Sequence, residues 1–193
     1  MATLAAVRVI AGEFRGRKLL GPRGKATRPI TDRAKQSMFD VLTPWIAGAA
    51  VYDCFAGTGS LGLEALSRGS TFATFFEADG DALRLLAQNV QSLGLTDRSR
   101  LVAGDLFAWI ETAPPPPQPV DLIFLDPPYR YVAQKAGELN RLVGRLAREH
   151  LAPGGILVFR HDRRDKLELA PLARYDQRDY GKMRVEFFVS PRG

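Results

Sequence analysis

Residues 53–62 read Asp53-Cys54-Phe55-Ala56-Gly57-Thr58-Gly59-Ser60-Leu61-Gly62. Gly57, Gly59 and Gly62 satisfy G-x-G-x-x-G. The apolar run before them (49–55, AAVYDCF) predicts a short buried strand, and the segment after them (60–68) predicts a helix. Glycines between a strand and a helix permit a tight turn and a close backbone approach to a nucleotide-like ligand.

Working outward, the same strand–helix alternation continues. A strand is expected at 71–78, and a helix from Asp79 to its stop at Gly94, with Leu83, Leu86, Val90 and Leu93 on one face. Further strands are expected at 99–103, 120–126 and 155–159, with helices from Asp105 to Ile110 and over 131–150. A proline-rich connector occupies 114–119. The tail alternates Met183, Val185, Phe187 and Val189 on one side, the pattern of an antiparallel edge or penultimate strand. Such alternation implies an α/β fold, a doubly wound and mostly parallel sheet covered on both faces. Ligands then bind beyond the carboxyl ends of the central strands, which points to 53–62, 77–79, 104–106 and 126–130. Upstream, 7–20 predicts a hairpin or strand pair. Thr31 predicts an N-cap for an amphipathic helix over 32–42 that Pro44 discourages from continuing. The expected division is a basic N-terminal extension, 1–46, and one catalytic domain, 47–193.

The net charge of +6 is concentrated at one end. Residues 1–40 hold nine Lys or Arg against three acids, and the remainder is balanced. A basic arm on a neutral body is a footprint for a polyanion. The longest uncharged stretch, 41–52, is too short to span a membrane, and the N-terminus does not read as a signal peptide. With Cys54 as the single cysteine, an intrachain disulfide and a cysteine-cluster metal site are excluded. A cytoplasmic, metal-free protein is expected. Cys54, Trp45 and Trp109 read as core, and His150 and His161 as surface or packing residues.

Three carboxylates carry the chemistry. Glu77, eighteen residues after Gly59, stands where a carboxylate can accept from a ribose diol. That much equally describes a nicotinamide oxidoreductase. Asp53 separates the readings, because a carboxylate four residues before Gly57 would repel a pyrophosphate and attract a cation. S-adenosylmethionine carries an ammonium and a sulfonium and no phosphate. Asp105, after Gly104, can cap a helix or accept from an adenine amino group. Asp126-Pro127-Pro128-Tyr129 follows the strand VDLIFL and fixes a carboxylate, an exposed carbonyl and a ring within four residues. A planar, amine-bearing base fits that set, with the ring stacking and two acceptors taking the amine hydrogens. A non-enzymatic RNA-binding module would leave Asp53 and Glu77 without a task.

In chain order, Asp53-x-Phe55-x-Gly57-x-Gly59, Glu77, Asp105 and Asp126-Pro-Pro-Tyr129 resemble the class I methyltransferases. The blocks RVIAGEFRGRKL (8–19), RPITDRAKQSMFDVL (28–42), FAGTGSLGLEALSRG (55–69) and YGKMRVEFF (180–188) resemble the RsmD family. That family consists of bacterial small-subunit ribosomal RNA guanine-N2 methyltransferases. The resemblance implies a Rossmann-like seven-stranded sheet. It implies S-adenosyl-L-methionine as cofactor and transfer of one methyl to a guanine N2 of 16S ribosomal RNA, naked or within the assembling small subunit. A monomer is expected. Asp126, Pro127, Pro128 and Tyr129 are then expected to hold the target amine. Asp53, Phe55, Gly57, Thr58, Gly59, Glu77, Asp105, Leu106, Arg28 and Thr31 are expected to hold the cofactor. The block Arg28-Pro-x-Thr31-Asp-Arg33 lies, in the family, near the cofactor's methionine end. Arg8, Arg15, Arg17, Lys18 and Arg33 are expected to face RNA. Asp126 is compatible with guanine and leaves adenine N6 as the alternative acceptor. The proline-rich 114–119 departs mildly from the expected loop.

Overall fold

The computed structural model describes residues 7–21 and 30–192. Seven strands form one sheet: β1 (Ala50–Cys54), β2 (Phe72–Glu77), β3 (Ser99–Ala103), β4 (Val120–Leu125), β5 (Leu151–Asp162), β6 (Ala173–Tyr180) and β7 (Met183–Val189). Their order is β3-β2-β1-β4-β5-β7-β6. The first five are parallel, and β7 runs antiparallel between β5 and β6. The strand order reverses between β1 and β4, the position at which crossovers to opposite faces open a crevice at the carboxyl ends.

Helices cover both faces. On one side α1 (Asp32–Val41), α3 (Ser60–Ser67) and α4 (Gly80–Ser92) pack Met38, Phe39, Leu63, Leu66 and Leu86 on Val51, Phe75, Phe124 and Val158. On the other, α5 (Leu106–Thr112) and α7 (Ala136–Arg145) pack Ile110, Leu139, Leu142 and Val143 on Phe76, Ile123, Leu125 and Leu157. Residues that alternate along each strand divide between these two clusters, which is why the central strands read as continuous apolar runs. Three helix starts follow from side-chain capping: Thr31 accepts from the Ala34 N–H, Asp79 from Ala82 and Asp105 from Phe107.

Several expectations change in detail. Of the hairpin or strand pair expected at 7–20, the structure has a short hairpin, with one bridge, Arg8 to Lys18, and backbone bonds from Val9 to Arg17 and from Leu19 to Val7, and no regular pair of strands. Its backbone polar groups are claimed by side chains of the sheet-covering helices. Glu64 of α3 accepts from the N–H groups of Ile10 (2.9 Å) and Ala11 (3.0 Å), Ser67 accepts from Phe14, and Asn89 of α4 accepts from Leu20. A side chain at Gly12 would place its Cβ 1.8 Å from the Ser67 carbonyl oxygen, so this contact requires glycine. Lys35 is not part of a solvated basic arm. It is 2 % exposed, and its ammonium bonds the Arg8 carbonyl (2.7 Å) and Glu64 (3.1 Å).

Past Pro44 the chain makes one more short turn, α2 (Thr43–Ile46), with the proline at its start, where its missing N–H costs nothing. The helix expected over 131–150 begins at Tyr129 and is broken at Lys135 into α6 (Tyr129–Gln134) and α7, ending in a π-turn, Leu146–His150. The charged strand β6 was not legible as a strand. His150 and His161 are both fully buried packing residues, with His161 bonded to Glu186 (2.9 Å).

Candidate active site

Register places four side chains on one face of the sheet, near its carboxyl ends. Cys54 of β1 is level with Phe76 of β2 and Leu125 of β4, and Leu125 is level with Phe159 of β5. Side chains one residue away from this level point to the opposite face. Glu77, Asp126 and Arg160, one residue past this level, and Asp53, one residue before it and level with Phe75 and Phe124, therefore share the face covered by α1, α3 and α4, across four adjacent strands. They stand at the carboxyl ends, beside the reversal of strand order.

Asp53 is 1 % exposed, and its Oδ2 accepts from the Gly62 N–H (2.8 Å) inside the first turn of α3. Burial pushes the Asp53 carboxyl well above the ordinary carboxylate range. The Gly62 N–H opposes that, the charges of Asp126 and Glu77 add to it, and Arg160 opposes it. Gly62 must lack a side chain here, since a Cβ would stand 2.4 Å from the Phe75 ring and 3.0 Å from Asp53 Oδ2. Gly59 has φ +84°, and its Cβ would stand 2.4 Å from Leu86. Glu77 closes the loop from the other side. One carboxylate oxygen accepts from the Gly57 N–H and the other from Asp79 N–H, both at 2.7 Å. Each of these oxygens retains a second lone pair for a ligand hydroxyl.

Asp126 is not a free acceptor. The Arg160 guanidinium grips it with two parallel bonds, Nε to Oδ1 (2.6 Å) and Nη2 to Oδ2 (2.5 Å). Both side chains are mostly buried, with 16 % of Asp126 and 13 % of Arg160 exposed. Burial by itself would lower the guanidinium's pKa; Asp126, Tyr129 and Asp53 outweigh it and hold Arg160 above its usual value. Pro127 is buried, Pro128 is exposed at the N-terminus of α6, and Tyr129 is 38 % exposed.

The remaining expected residues are distributed unevenly. Phe55 adopts a left-handed backbone, φ +61°, and its ring meets Phe107 (5.7 Å) and Tyr131 (6.1 Å). The Lys135 ammonium lies over the Phe107 and Tyr131 rings at 4.7 and 5.0 Å. These rings form an apolar wall beyond the ends of β1, β3 and β4 that could receive a planar group. Leu106 points into the core, Thr58 is buried with its carbonyl on Asn89, and Asp105 is exposed and caps α5. Thr31 is exposed and caps α1, and Arg28 lies outside the described residues. Of the cations expected to face RNA, all are exposed. Arg8 pairs with Asp32 (2.7 Å), Arg17 bonds the Ser92 carbonyl (3.0 Å), and Arg15, Lys18 and Arg33 complete the set.

Arg160 was missed by the sequence reading. The signal was present: it directly follows the run GILVF, so the carboxyl-end rule, applied to that strand as to the others, points to it.

A glycine loop whose floor is two carboxylates suits a cationic, ribose-bearing ligand and is ill suited to a pyrophosphate. Together with the strand order, this defines the Rossmann-like methyltransferase class. The chain belongs to the RsmD family: the family model described as conserved hypothetical protein 95 matches residues 7–189. It is similar to a putative rRNA methyltransferase, YlbH, of Bacillus subtilis, with 36 % identity over 161 residues, 83 % of this chain and 85 % of that protein. It is 34 % identical over 166 residues to the ribosomal RNA small subunit methyltransferase D of Haemophilus influenzae, 86 % of this chain and 83 % of that one. Among solved structures, the putative methyltransferase yhhF of Escherichia coli superposes with a TM-score of 0.82 at 28 % identity, covering 98 % of this chain and all of that one.

Proposed function

We propose that this protein transfers a methyl group from S-adenosylmethionine to the exocyclic N2 amine of a guanine in small-subunit ribosomal RNA. The observation that carries the reading is the set of carboxylates on one face: two beneath the glycine loop and a third, Asp126, at the head of a rigid Pro-Pro-Tyr turn one strand away. The relatives' names support ribosomal RNA as the substrate class. The donor set fits the cofactor. Asp53 offers negative charge to its ammonium, Glu77 offers lone pairs to its ribose, and the Phe55–Phe107–Tyr131 wall offers a face to its adenine.

When bound, S-adenosylmethionine supplies an electrophilic methyl, and the S–C bonding pair stays on sulfur as the methyl leaves. The chain's residues do the rest by positioning and by electrostatics. Guanine N2 is a poor nucleophile because its lone pair is delocalised into the ring. Asp126 and the Pro127 carbonyl accept the amine hydrogens, which favours a pyramidal nitrogen and stabilises the positive charge that develops there. Such preorganised stabilisation is worth a few kcal/mol, roughly 10²–10³ in rate. The methylated amine then loses one proton to solvent. Tyr129 stacks on the base, which must leave any helical stack to reach this turn. Arg15, Lys18 and Arg33 supply salt-sensitive phosphate contacts.

The test is incubation with radiolabelled cofactor and unmethylated small ribosomal subunits or their RNA, followed by nucleoside analysis. Label in N2-methylguanosine is expected. Label in N6-methyladenosine, or none in RNA, would overturn the reading.

A further inference from the structure

We propose that Arg160 reads the target base, donating to guanine O6 while Asp126, to which it is locked, takes the N1 hydrogen and one of the two on the neighbouring N2 amine. The inference rests on guanine N2 being the acceptor and adds the residue that would select it.

Order across the sheet supports it. Glu77 and Asp53 lie under the glycine loop, Asp126 comes next, and Arg160 lies one strand further on, so Asp126 separates the guanidinium from the cationic cofactor. Arg160 thus belongs to the side that receives the base. Its electrostatic neighbours include Tyr129, the ring proposed to stack on that base.

The hydrogen-bond inventory leaves it donors to offer. A guanidinium has five N–H groups. Nε and one Nη2 hydrogen go to Asp126, and Nη1 meets only the Met183 sulfur, a weak acceptor at 3.7 Å. Among the described residues, the second Nη2 hydrogen and one on Nη1 therefore stay available next to the carboxylate. Asp126, although gripped, keeps a second lone pair on each oxygen. The ion pair consequently presents acceptors flanked by donors. The Watson–Crick edge of guanine presents the complement, two adjacent donors (N2 and N1) followed by an acceptor (O6). Adenine presents its exocyclic amine where guanine has O6, so donor would face donor. A site built to hydrogen-bond a substrate atom rejects the analogue that lacks it strongly, because the site's own buried groups are left unpaired.

The methylated guanine is first mapped in the wild-type product. Subunits are then assembled on RNA ligated to carry guanine, 6-thioguanine or 2,6-diaminopurine at that one position. Single-turnover rates are measured for wild type, Arg160→Ala and Arg160→Lys, with S-adenosylhomocysteine binding as the check on folding. Wild type is expected to slow roughly tenfold or more on each analogue, the usual scale of one lost base-reading contact. Arg160→Ala is expected to be slow on guanine and nearly indifferent to the replacement. Arg160→Lys, which keeps a charge beside Asp126 but lacks the fork, should fall between, and it carries the test if Arg160→Ala does not fold. A wild type indifferent to position 6, or variants that keep the wild-type ratio between bases, would overturn the inference and leave Arg160 as an anchor for Asp126 alone. Failure of the underlying reading shows earlier and separately, as methylation mapping to a base other than guanine.

Discussion

Asp126 anchors a mostly buried guanidinium and is also placed to receive the target amine, and these two tasks predict different consequences when it is changed. As a strand-end carboxylate in the sequence it looks structurally dispensable. The bidentate bond to Arg160 reverses that, because removing one partner of a buried pair strands the other. Asp126→Asn keeps the shape and one acceptor, so it is expected to fold with reduced stability and to lower the single-turnover methylation rate about 10²-fold, with little change in S-adenosylhomocysteine affinity. Tyr129→Phe should retain most activity and Tyr129→Ala should not, since stacking uses the ring. Rates within a few-fold of wild type at saturating RNA and cofactor would remove both roles.

Asp53 supplies a pH test. Its carboxyl is raised by burial and by its acidic neighbours, so it holds its proton to higher pH in the free protein than an ordinary carboxylate does. An arriving ammonium favours the charged form and expels that proton. Cofactor binding should therefore release protons and tighten as pH rises through the Asp53 titration, and Asp53→Asn should abolish the proton release. Calorimetry of S-adenosylhomocysteine binding in two buffers of different ionisation enthalpy reads this directly, and identical apparent enthalpies in the wild type would remove Asp53 from the ammonium site. The carboxylates of this site were legible in the sequence because each stands at the end of an apolar run, with the glycine loop following Asp53 and two prolines following Asp126. That Asp53 and Glu77 also bond the loop's own N–H groups was not, since those bonds depend on how the loop folds back.

At the scale of elements, parallel strands were readable from continuous apolar runs, whereas β6 was not. Its sequence, ARYDQRDY, is half charged because it is an edge strand exposed on both sides, and charge is one means by which such edges avoid further pairing. The N-terminal loop shows a second limit of periodicity. Its structure is set by Glu64, a residue some fifty positions away that accepts from Ile10 and Ala11 and pairs with buried Lys35 and Arg68. Burial pulls Lys35 below its usual value, and Glu64 partly restores it. Glu64→Gln should strand that ammonium and cost about 3–5 kcal/mol, the usual scale for breaking a buried pair. Urea unfolding checks this. A loss below 1 kcal/mol would mean that Lys35 escapes to solvent and the loop does not depend on the pair. Because Ser60 at the start of α3 also bonds Lys35 (3.3 Å), the same change should weaken cofactor binding through the glycine loop.

Across the whole molecule, charge and chemistry are partitioned. The carboxylates lie together at the carboxyl edge of the sheet, while the excess positive charge lies in residues 1–40. The structure refines that partition. Lys35 is buried, Arg8 is neutralised by Asp32, and Arg17 is held by the Ser92 carbonyl, so Arg15, Lys18 and Arg33 are the exposed cations of the expected set that carry no such partner among the described residues. If these three meet phosphates, each contributes its own increment of counterion release on binding RNA. Replacing all three by Ala should then reduce the slope of log affinity against log salt by about 2, as expected for three contacts to largely single-stranded RNA. S-adenosylhomocysteine affinity should not change when Arg15 and Lys18 alone are replaced, since both lie on the 7–20 loop and not in the 28–33 block expected near the cofactor's methionine end. Filter binding of small-subunit RNA across a salt series measures the slope. An unchanged slope with unchanged cofactor affinity would show that RNA docks elsewhere on the protein, with the basic N-terminal segment serving only to cover α3 and α4.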